Sequence, residues 1–318
     1  MDQIKYSIFS QNVSDEWDQF VLSTSGGTLH SRREFLNYHK EKFEDLSFIF
    51  TLDNEIVAVL AAAVLNDKLV SHPGASYGGL IYKQNLKLEQ VSEIKNIIYQ
   101  ECKVRKLNEL EIRFPYSIMS KNYFDKFKYV TNSETTKVFK EISQYIPLDE
   151  LDNTKYSKNF IRILKKNKNF HTVQSLEKKD IINFYKILEK NLVKHDTKPT
   201  HSIEELNYLI ENLNDDFDLF VTKNLEGKII SASLVMKLDS KTVHSFYFCT
   251  DYDFIKSSPL INTIDFIAYK YKSLGFKNYS LGISTEKKGM VVNGNLNSFK
   301  EKFNTLATIR ETYLIKIP

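Results

Sequence analysis

Apolar and polar residues alternate along most of this chain in short stretches separated by turn sequences such as Asp53-Asn54 and Asn66-Asp67. A period of two predicts strands, and a period of 3.6 predicts helices. Between residues 48 and 114 these patterns predict several strands, one helix and a closing strand. The predicted elements are the strand 48–52, the strand 55–65, a glycine-interrupted strand pair within 68–82, the helix 88–106 and the strand 109–114.

The same order of elements returns in a second series, displaced by about 170 residues (48 to 219, for example). Gly275 stands where a glycine commonly ends a helix. Because several elements recur in one order, the pattern favours a duplicated module over a chance match. The second series comprises the strand 219–222, the strand 228–238, the strand 242–250, the helix 259–274 and the strand 278–282.

Each series predicts a meander of antiparallel strands, a crossover helix and a further strand, which is typical of an α+β layered fold. Residues 145–153 hold one proline and three acidic residues and are interpreted as a linker. We therefore expect two tandem domains, residues 1–145 and residues 146–318. Each should contain a mixed, mostly antiparallel sheet flanked by helices, and 318 residues are enough for two such domains.

The composition is that of a globular protein, with 42% hydrophobic and 26% charged residues. The net charge of +4 is too mild to indicate nucleic-acid binding, so DNA is not an expected partner. Two cysteines, Cys102 and Cys249, exclude a disulfide framework and suit a reducing compartment. The longest apolar run, residues 56–65, is half of what a bilayer crossing needs, and the first ten residues lack a signal-peptide pattern. A cytoplasmic location without a transmembrane segment is the expectation.

Motifs of several common site types are absent from the sequence. Neither G-x-G-x-x-G nor G-x-x-x-x-G-K-[ST] occurs, which argues against a dinucleotide site and a P-loop. H-E-x-x-H and C-x-x-C do not occur either, and the seven histidines show no metal-ligand spacing. We therefore expect no metal cofactor.

A strongly basic stretch opens the second half of the chain. Lysines and one arginine load residues 158–168 with positive charge, while Phe160, Ile161 and Leu164 supply an apolar stripe, so one short helix is predicted. Such a helix suits the phosphates of a nucleotide-linked, lipid-linked or RNA substrate, and it equally suits a solvated surface. Arg162 is the strongest substrate-binding candidate, because a guanidinium bridges two phosphate oxygens.

Two successive meander-plus-helix halves resemble the tandem architecture of the FemABX peptidyltransferases and their relatives in the GNAT acyltransferase superfamily. The resemblance covers nearly the whole chain, and three segments carry it. The first resembles GNAT-like proteins encoded with surface-polysaccharide genes, the second the basic opening of the second FemABX domain, and the third the closing Phe-Lys-x-x-Phe run. The segments are SHPGASYGGLIY (71–82), SKNFIRILKKNKNF (157–170) and SFKEKFNTLATIRETYLIKI (298–317).

The resemblance implies an N-acyltransferase built from two GNAT-like domains. It implies acyl-CoA as donor, with acetyl-CoA first among the candidates, and as acceptor a primary amine of an amino sugar or other small cell-envelope or glycan precursor. Two alternatives stay open. A FemABX-like enzyme would take aminoacyl-tRNA as donor, although the helical arm that some of these proteins insert has no counterpart here. A non-catalytic relative would bind a glycan or a protein.

Many CoA-dependent GNAT enzymes carry a Q/R-x-x-G-x-G/A loop before the crossover helix, where backbone N–H groups hold the pyrophosphate. The equivalent stretch KSSPLIN (256–262) contains no glycine. Ser258 is a good N-cap and Pro259 a good first helical residue, so part of the anion-binding capacity is expected to remain. Ser257, Ser258 and Leu260 are the cofactor-binding candidates.

Three glycines and a proline interrupt the strand pattern within residues 71–79. Backbone with this composition bends or closely approaches another group. The segment is interpreted either as a substrate-contacting wall that presents His72 and Tyr77 as catalytic residues or as a wide hairpin with satisfied side chains.

Two candidates lie in the middle of the second half. His195 beside Asp196 is a substrate-binding candidate in a loop that follows a predicted helix. Tyr247 is a candidate proton donor to a leaving group, with core packing as the alternative. Alternation along 242–250 puts His244 and Tyr247 on opposite faces unless a bulge intervenes.

Two further candidates lie near the C-terminus. Ser284 follows the strand 278–282, at the mouth where two strands of a GNAT half are expected to part, and is a substrate-binding candidate. Lys300 matches the lysine of the Phe-Lys-x-x-Phe run and is a catalytic candidate that would neutralise a carboxylate or a tetrahedral oxyanion, with a solvated helix face as the alternative. Backbone N–H groups at a strand irregularity commonly serve as oxyanion donors, and the sequence does not show them directly.

Overall fold

The chain folds into two compact units, each built from helices and strands. The computed structural model describes residues 3–39, 42–175, 177–194 and 197–318. These two units are defined by which residues pack together. The proposed domains 1–145 and 146–318 are defined instead by the repeat in the sequence. The N-terminal unit comprises Met1–Ile142, Glu286–Val291 and Thr308–Pro318, and the C-terminal unit comprises Ser143–Thr285 and Val292–Ala307.

The strands of the two predicted series form, and the structure adds strands outside those series, among them residues 135–147 and 306–316. Up to residue 113 the strands are β1 (Lys5–Ile8), β2 (Glu44–Asp45), β3 (Phe48–Leu52), β4 (Glu55–Leu60), β5 (Ala62–Leu65), β6 (Lys68–Ser71), β7 (Leu80–Tyr82) and β8 (Glu109–Arg113). The later strands are β9 (Thr135–Pro147), β10 (His171–Ser175), β11 (Phe217–Lys223), β12 (Ile229–Lys237), β13 (Thr242–Thr250), β14 (Asn278–Ile283), β15 (Thr285–Glu286), β16 (Val291–Val292) and β17 (Leu306–Lys316).

The helices include the predicted crossover helices and the predicted basic helix. They are α1 (Ser14–Ser23), α2 (Arg33–Leu36), α3 (Leu88–Val104), α4 (Ser117–Ser120), α5 (Asp125–Val130), α6 (Lys158–Lys166), α7 (Lys178–Val193), α8 (Ile203–Asn212), α9 (Leu260–Ser273) and α10 (Gly294–Glu301). Within the described part of the chain, none of them is both long and apolar enough to cross a bilayer.

Two sheets form the N-terminal unit. One has the strand order β1-β3-β4-β7 and is antiparallel, and the other has the order β17-β8-β6-β5-β2. The expected strand 55–65 is divided at Ala61, so that β4 and β5 pair in different sheets. Helix α3 buries Val91, Ile94 and Ile98 completely, because these residues recur at the helical spacing of three and four. Burial of each such side chain contributes about 1.5–3 kcal/mol.

One sheet with the order β10-β11-β12-β13-β14-β9 forms the C-terminal unit. Neighbouring strands are antiparallel except β13 and β14, which are parallel. Helix α9 connects these two strands, and Gly275 beyond its end adopts φ +87°, the left-handed conformation that commonly follows a helix. The apolar core of this unit includes Phe220, Val235, Ile261, Ile264, Tyr271 and Tyr279.

Both units contain an antiparallel strand pair, then a helix, then a strand parallel to the second member of the pair. These elements are β5, β6, α3 and β8 in the N-terminal unit and β12, β13, α9 and β14 in the C-terminal unit. The parallel pairing requires the connecting helix, since a tight hairpin joins only antiparallel strands. The predicted α+β class with two successive modules is confirmed.

The interpretation of residues 145–153 as a linker is wrong. Residues 145–147 end strand β9 and pair with β14. Ile146, Leu148 and Leu151 are at most 7% exposed, so apolar side chains between the proline and the acidic residues belong to the core. Pro147 is the last residue of β9, an end position where a strand tolerates proline.

Candidate active site

The parallel strands β13 and β14 part soon after they begin. They pair only over residues 242–244 of β13 and 278–280 of β14. The facing edges of residues 245–250 and 281–283 are therefore not paired with each other, and on β14 Gly282 N–H donates instead to Ser280 Oγ at 3.3 Å. We call this opening in the C-terminal unit the strand cleft.

A β-bulge lies where the strand cleft begins. Ser245 and Tyr247 pair with consecutive residues of β12, so Phe246 between them is the extra residue on β13. The bulge turns His244 and Tyr247 to the same face of the sheet, where strict alternation would have separated them. The sequence allows His244 and Tyr247 to share a face only if a bulge intervenes, and the structure contains that bulge.

Strand β14 is also irregular beside the cleft. Its register with β9 shifts between Ser280 and Ile283, and Gly282 adopts φ +78°. A Cβ at Gly282 would lie 3.3 Å from Cε1 of His244. His244 Nδ1 lies 3.1 Å from Ser280 Oγ, so the imidazole is held against β14. Glycine suits this position both because of its backbone conformation and because of the nearby ring.

Lys300 of α10 reaches the backbone of β14. Its Nζ donates hydrogen bonds to the carbonyl oxygens of Gly282 at 2.8 Å and Ile283 at 2.6 Å, and the residue is 1% exposed. Burial lowers the pKa of this amine to about 7, because the charged form loses hydration. Lys300 therefore does not lie on a solvated face, and a neutral amine is available at physiological pH.

A polar network holds Ser284 beside the same helix. Ser284 is fully buried, and its Oγ donates to Gln144 Oε1 at 2.5 Å. The Gln144 amide donates in turn to Asn297 Oδ1. Asn297 Nδ2 completes the network with a hydrogen bond of 2.7 Å to Glu301 Oε1. The network connects the end of β14 to α10, the helix that carries Lys300.

His201 supports Tyr247 and is not a site candidate in the sequence. Its Nδ1 lies 2.7 Å from Tyr247 Oη, and Tyr185 Oη donates to the His201 carbonyl at 3.1 Å. Burial raises the pKa of Tyr247, so its hydroxyl stays protonated at neutral pH. The two partners are 46 residues apart in the chain, and no local pattern connects them.

A second opening of the C-terminal unit is basic. The cavity has a volume of about 440 Å³, and the described residues that line it carry four positive charges and no negative charge. Arg162 on α6 donates from Nη2 to Asn159 Oδ1 at 2.8 Å. Four cations without a compensating acid attract an anion. This basic cavity is lined by Asn159, Arg162, Ile163, Lys166, Lys256, Ser257, Ser258 and Lys302.

The predicted capping role of Ser258 is wrong. Pro259 occupies the N-cap position of α9, which has no side-chain cap, and Ser258 is left-handed with φ 52° and ψ 49°. An N-cap residue needs extended backbone to direct its oxygen at the first N–H groups, whereas Ser258 closes the preceding 3-10 turn. Asn167 stabilises this turn instead, since its Nδ2 donates to Ser257 O at 2.8 Å.

The start of α9 offers fewer free N–H groups than a glycine-rich loop would. Ile261 N–H donates to Ser258 O at 3.1 Å, and Thr263 N–H donates to Pro259 O at 3.2 Å. The Leu260 side chain packs in the apolar core at 8% exposure, so only its backbone can contact an anion. Side-chain cations must therefore hold most of the charge of any phosphate in the basic cavity.

The corresponding edge of the N-terminal unit is closed. Beyond the parallel pairing of β6 and β8, Ser71 Oγ accepts a hydrogen bond of 3.0 Å from Arg113 N–H. Gly78 N–H donates to Arg113 O at 2.7 Å. The backbone N–H and carbonyl of Arg113 beyond the pairing are thus both bonded to the segment that follows β6.

The two catalytic candidates of the N-terminal unit are both buried. Tyr77 is 1% exposed, and its ring packs edge-on against His30 and Tyr116. Such packing agrees with the interpretation of residues 71–79 as a wide hairpin with satisfied side chains. The Tyr77 ring is not presented to a substrate. His72 is 4% exposed and lines a separate cavity, where its Nε2 lies 3.9 Å from Asp45 Oδ2.

Other site types receive no support from the described part of the chain. It holds no group of three His, Cys, Asp or Glu side chains arranged for a metal ion. Residues 74–78 read G-x-S-x-G, yet they connect β6 to β7 and not a strand to a helix, so the context of a nucleophile elbow is missing. His195, the remaining substrate-binding candidate, lies outside the described residues.

The fold, with its repeated module, is similar to the tandem GNAT-like fold of several solved structures. FemX is similar over 96% of both chains, with a TM-score of 0.70 at 12% sequence identity. L-PGS from Bacillus licheniformis has a TM-score of 0.59 at 13% identity over 94% of this chain and 90% of its own. A tandem GNAT protein from the clavulanic acid biosynthesis pathway has a TM-score of 0.58 at 6% identity over 99% of both chains. No protein-family model and no curated protein matches the sequence.

Proposed function

We propose that the C-terminal unit transfers an acyl group from acyl-CoA, in the first place acetyl-CoA, to a primary amine. The observation that carries this proposal is the strand cleft, where β13 and β14 part, β13 carries a bulge, and a buried amine contacts the backbone of β14. An activated carbonyl in the cleft would meet preorganised N–H donors, which stabilise the charge that develops on its oxygen.

Lys300 is the proposed base of the reaction. A neutral amine has two N–H groups and one lone pair, and the Gly282 and Ile283 carbonyls occupy two donors. The lone pair is then free to accept a proton from the attacking amine of the acceptor. A pKa of about 7 suits this role, because general bases work best when their pKa lies near the operating pH.

Tyr247 is the proposed acid for the leaving thiolate. Its hydroxyl is protonated at neutral pH, and His201 Nδ1 holds it at 2.7 Å. The bulge at Phe246 puts it on the face of His244, whose ring approaches Gly282, one of the two residues that hold Lys300. The two residues would thus serve the same cleft, one accepting a proton and the other donating one.

The basic cavity is the proposed site for the phosphates of the donor. Arg162 can bridge two phosphate oxygens, and Lys166, Lys256 and Lys302 add charge at the same cavity. Lys302 lies at the end of α10, the helix that carries Lys300, so one helix would contribute to both the proposed phosphate site and the proposed base. Ser257 and Ser258 would contribute polar contacts from the turn before α9.

The proposed acceptor is an amino sugar or another amine-bearing precursor of the cell envelope. Ser284 at the end of β14 would help to shape its site through the hydrogen bond to Gln144. His195 remains a proposed acceptor contact on grounds of sequence alone.

The test is turnover of radiolabelled acetyl-CoA with a panel of amino sugars, amino acids and peptides, read by mass spectrometry of the acylated product. Lys300→Met should reduce the rate by about 10²–10⁴-fold, the usual contribution of a general base. Lys155→Met, which removes an exposed lysine of the same unit, should leave the rate unchanged. Stabilisation by glycans without any turnover would contradict the proposal and support a binding module.

Aminoacyl-tRNA is the second candidate donor, and the similarity to the fold of FemX together with the exposed cations of α6 favours it. The two donors are distinguished by adding ribonuclease to the assay. Activity with charged tRNA should vanish with ribonuclease and fall steeply with salt, because phosphate contacts release counterions. Activity that survives ribonuclease with acetyl-CoA as donor would exclude this second candidate.

A further inference from the structure

Arg33 is a buried arginine of the N-terminal unit. It is 2% exposed, and its guanidinium carbon lies 3.6 Å from the centre of the Phe9 ring and 4.2 Å from that of Trp17. Burial lowers its pKa, yet an arginine stays charged at physiological pH. The two aromatic rings therefore hold a permanent cation in place.

The hydrogen-bonding capacity of this cation is only partly used. Nη1 donates to Asp45 Oδ2 at 2.6 Å, while Nε and Nη2 are buried and donate to no acceptor in the described ranges. Asp18 is not their partner, since its carboxylate accepts the backbone N–H groups of Arg33 at 2.5 Å and Glu34 at 3.1 Å. Buried donors of native proteins are nearly always paired, so these two call for an acceptor.

A cavity of about 210 Å³ adjoins the guanidinium. Its wall combines one buried cation with polar and aromatic side chains. We call it the Arg33 cavity. The wall residues that matter here are Gln11, Arg33, Asn37, Phe43, Asp45 and His72.

We infer that the Arg33 cavity binds a small molecule through a carboxylate that pairs with Nε and Nη2 of Arg33. These two N–H groups are neighbours in a rigid plane, and such a pair matches the two oxygens of a carboxylate. Asp45 does not play this part in the structure, because it meets only Nη1 of Arg33 through Oδ2, while its Oδ1 accepts from Ser47 N–H at 2.9 Å. The unused capacity of Arg33 is therefore donor capacity, and two neighbouring N–H groups on a cation suit the paired oxygens of a carboxylate.

The charge of the cavity favours a monoanion over a dianion. Asp45 already neutralises much of the single positive charge of Arg33, so each negative charge on a ligand is an excess charge in a buried site, and a doubly charged phosphate adds twice as much as a carboxylate. Gln11 and Asn37 offer amides for neutral polar groups on the rest of the ligand, and Phe43 offers an apolar face. This site lies in the N-terminal unit and goes beyond the proposed acyl transfer, so either can fail without the other.

Trp17 supplies the measurement, because it is the only tryptophan of the chain and lies beside Arg33. Its fluorescence is recorded while the full-length protein is titrated with sodium D-glucuronate, D-glucose or inorganic phosphate at constant ionic strength. Glucuronate and glucose differ by one carboxylate. We expect a saturable change with glucuronate and an affinity at least about tenfold weaker for glucose and phosphate.

Two variants locate the effect. Arg33→Lys keeps the charge and removes the paired N–H groups, so the glucuronate response should be lost. Asn37→Phe leaves the guanidinium intact and fills the cavity, so it should also abolish the glucuronate response. This second variant provides the test if Arg33→Lys folds poorly. Arg105→Lys is the matched control, because this exposed arginine of the same unit pairs with Glu101 away from the cavity, and the response should be unchanged.

Three results would overturn the inference. They are a wild-type protein that shows no saturable response to glucuronate, a response to phosphate that is as strong as that to glucuronate, and a response that persists in a folded Arg33→Lys or Asn37→Phe variant. Loss of acyl transfer activity would not bear on it, since the fluorescence titration needs no turnover.

Discussion

At the scale of single residues, the chemistry depends on what burial does to ordinary side chains. Lys300 becomes a neutral base candidate because helix α10 places it among carbonyl groups away from water. Tyr247 keeps its proton because the same loss of hydration disfavours the phenolate. Neither property belongs to the residue type, since an exposed lysine and an exposed tyrosine would titrate near their usual values.

A pH profile tests the role of Lys300. The rate should fall as pH drops below about 7, because protonation of the amine removes the lone pair. Lys300→Met should lose this limb along with most of the rate. Lys300→Arg keeps a cation that cannot act as a base at these pH values, and it should be as inactive as the methionine variant. An active arginine variant would show that charge, and not proton transfer, is what the site requires.

Stability should respond to the same titration. The folded pKa of Lys300 is lowered from 10.5 to about 7, so the folded state releases a proton that the unfolded state keeps. The buried neutral amine therefore contributes fully to the free energy of unfolding above pH 10.5. This contribution decreases as pH falls below 10.5 and is lost once pH has fallen through 7. Denaturant titrations should show Lys300→Met gaining stability over the natural chain as pH is lowered through this window. An advantage that does not change with pH would argue against the lowered pKa.

A matched pair of glycines tests the geometry of the cleft. Gly282 and Gly227 have nearly equal dihedral angles, φ +78° and φ +76°, but only Gly282 has a neighbour, the His244 ring, near its Cβ position. Alanine at either position should cost about 1 kcal/mol of stability from backbone strain. Only Gly282→Ala should also reduce acyl transfer, because its methyl group would press on His244. Equal activities of the two variants would show that the contact is unimportant.

At the scale of elements, the bulge at Phe246 and the parting of β13 from β14 shape the candidate site. Regular strands would pair along their full length and leave no backbone groups for a ligand. Helix α6 then adds what the cleft lacks, an exposed row of cations of which Arg162 and Lys166 line the basic cavity. In the proposed function, α6 contributes to phosphate binding and the strand cleft carries out acyl transfer.

The role of α6 can be measured by comparing two basic residues of one segment. Arg162→Ala removes a charged contact worth about 1.5–3 kcal/mol, so the KM for the donor should rise about tenfold or more with little change in the melting temperature. Lys168→Ala removes an exposed cation that is not among the residues lining the basic cavity and should have little effect. Similar KM changes in both variants would indicate a diffuse field and no defined phosphate site.

At the scale of the whole molecule, the chain does not build its units one after the other. The last segment, Thr308–Pro318, belongs to the N-terminal unit, where β17 pairs with β8. Ile315 of this strand is fully buried. The N-terminal unit therefore remains incomplete until the end of the sequence has been added.

Truncation tests this arrangement. A chain that ends at residue 142 lacks β17 and exposes the edge of β8, so we expect it to be aggregated or sensitive to proteolysis, unlike the full-length protein. Limited proteolysis and circular dichroism would compare the two chains. A truncated chain that unfolds cooperatively with the stability of the full-length protein would show that β17 is dispensable.

The sequence by itself predicted the elements and the α+β class, because strand and helix periods are local properties. The strand 242–250 has the predicted bounds, and the basic helix and both crossover helices form within a few residues of expectation. Residue type and resemblance make Arg162, Ser257 and Ser258 binding candidates; one cavity brings them together, and their roles stay a prediction.

Only the tertiary structure decided how these residues are arranged and how deeply they are buried. The bulge at Phe246 depends on pairing with β12, and the hydrogen bond between His201 and Tyr247 joins residues that are 46 positions apart. The burial of Arg33 and Lys300 likewise depends on elements distant in the chain. Local patterns specify which side chains a strand or helix carries. The register between strands and the depth of burial depend on partners that no local pattern contains, and these set the charge state and the free hydrogen-bonding groups of the site.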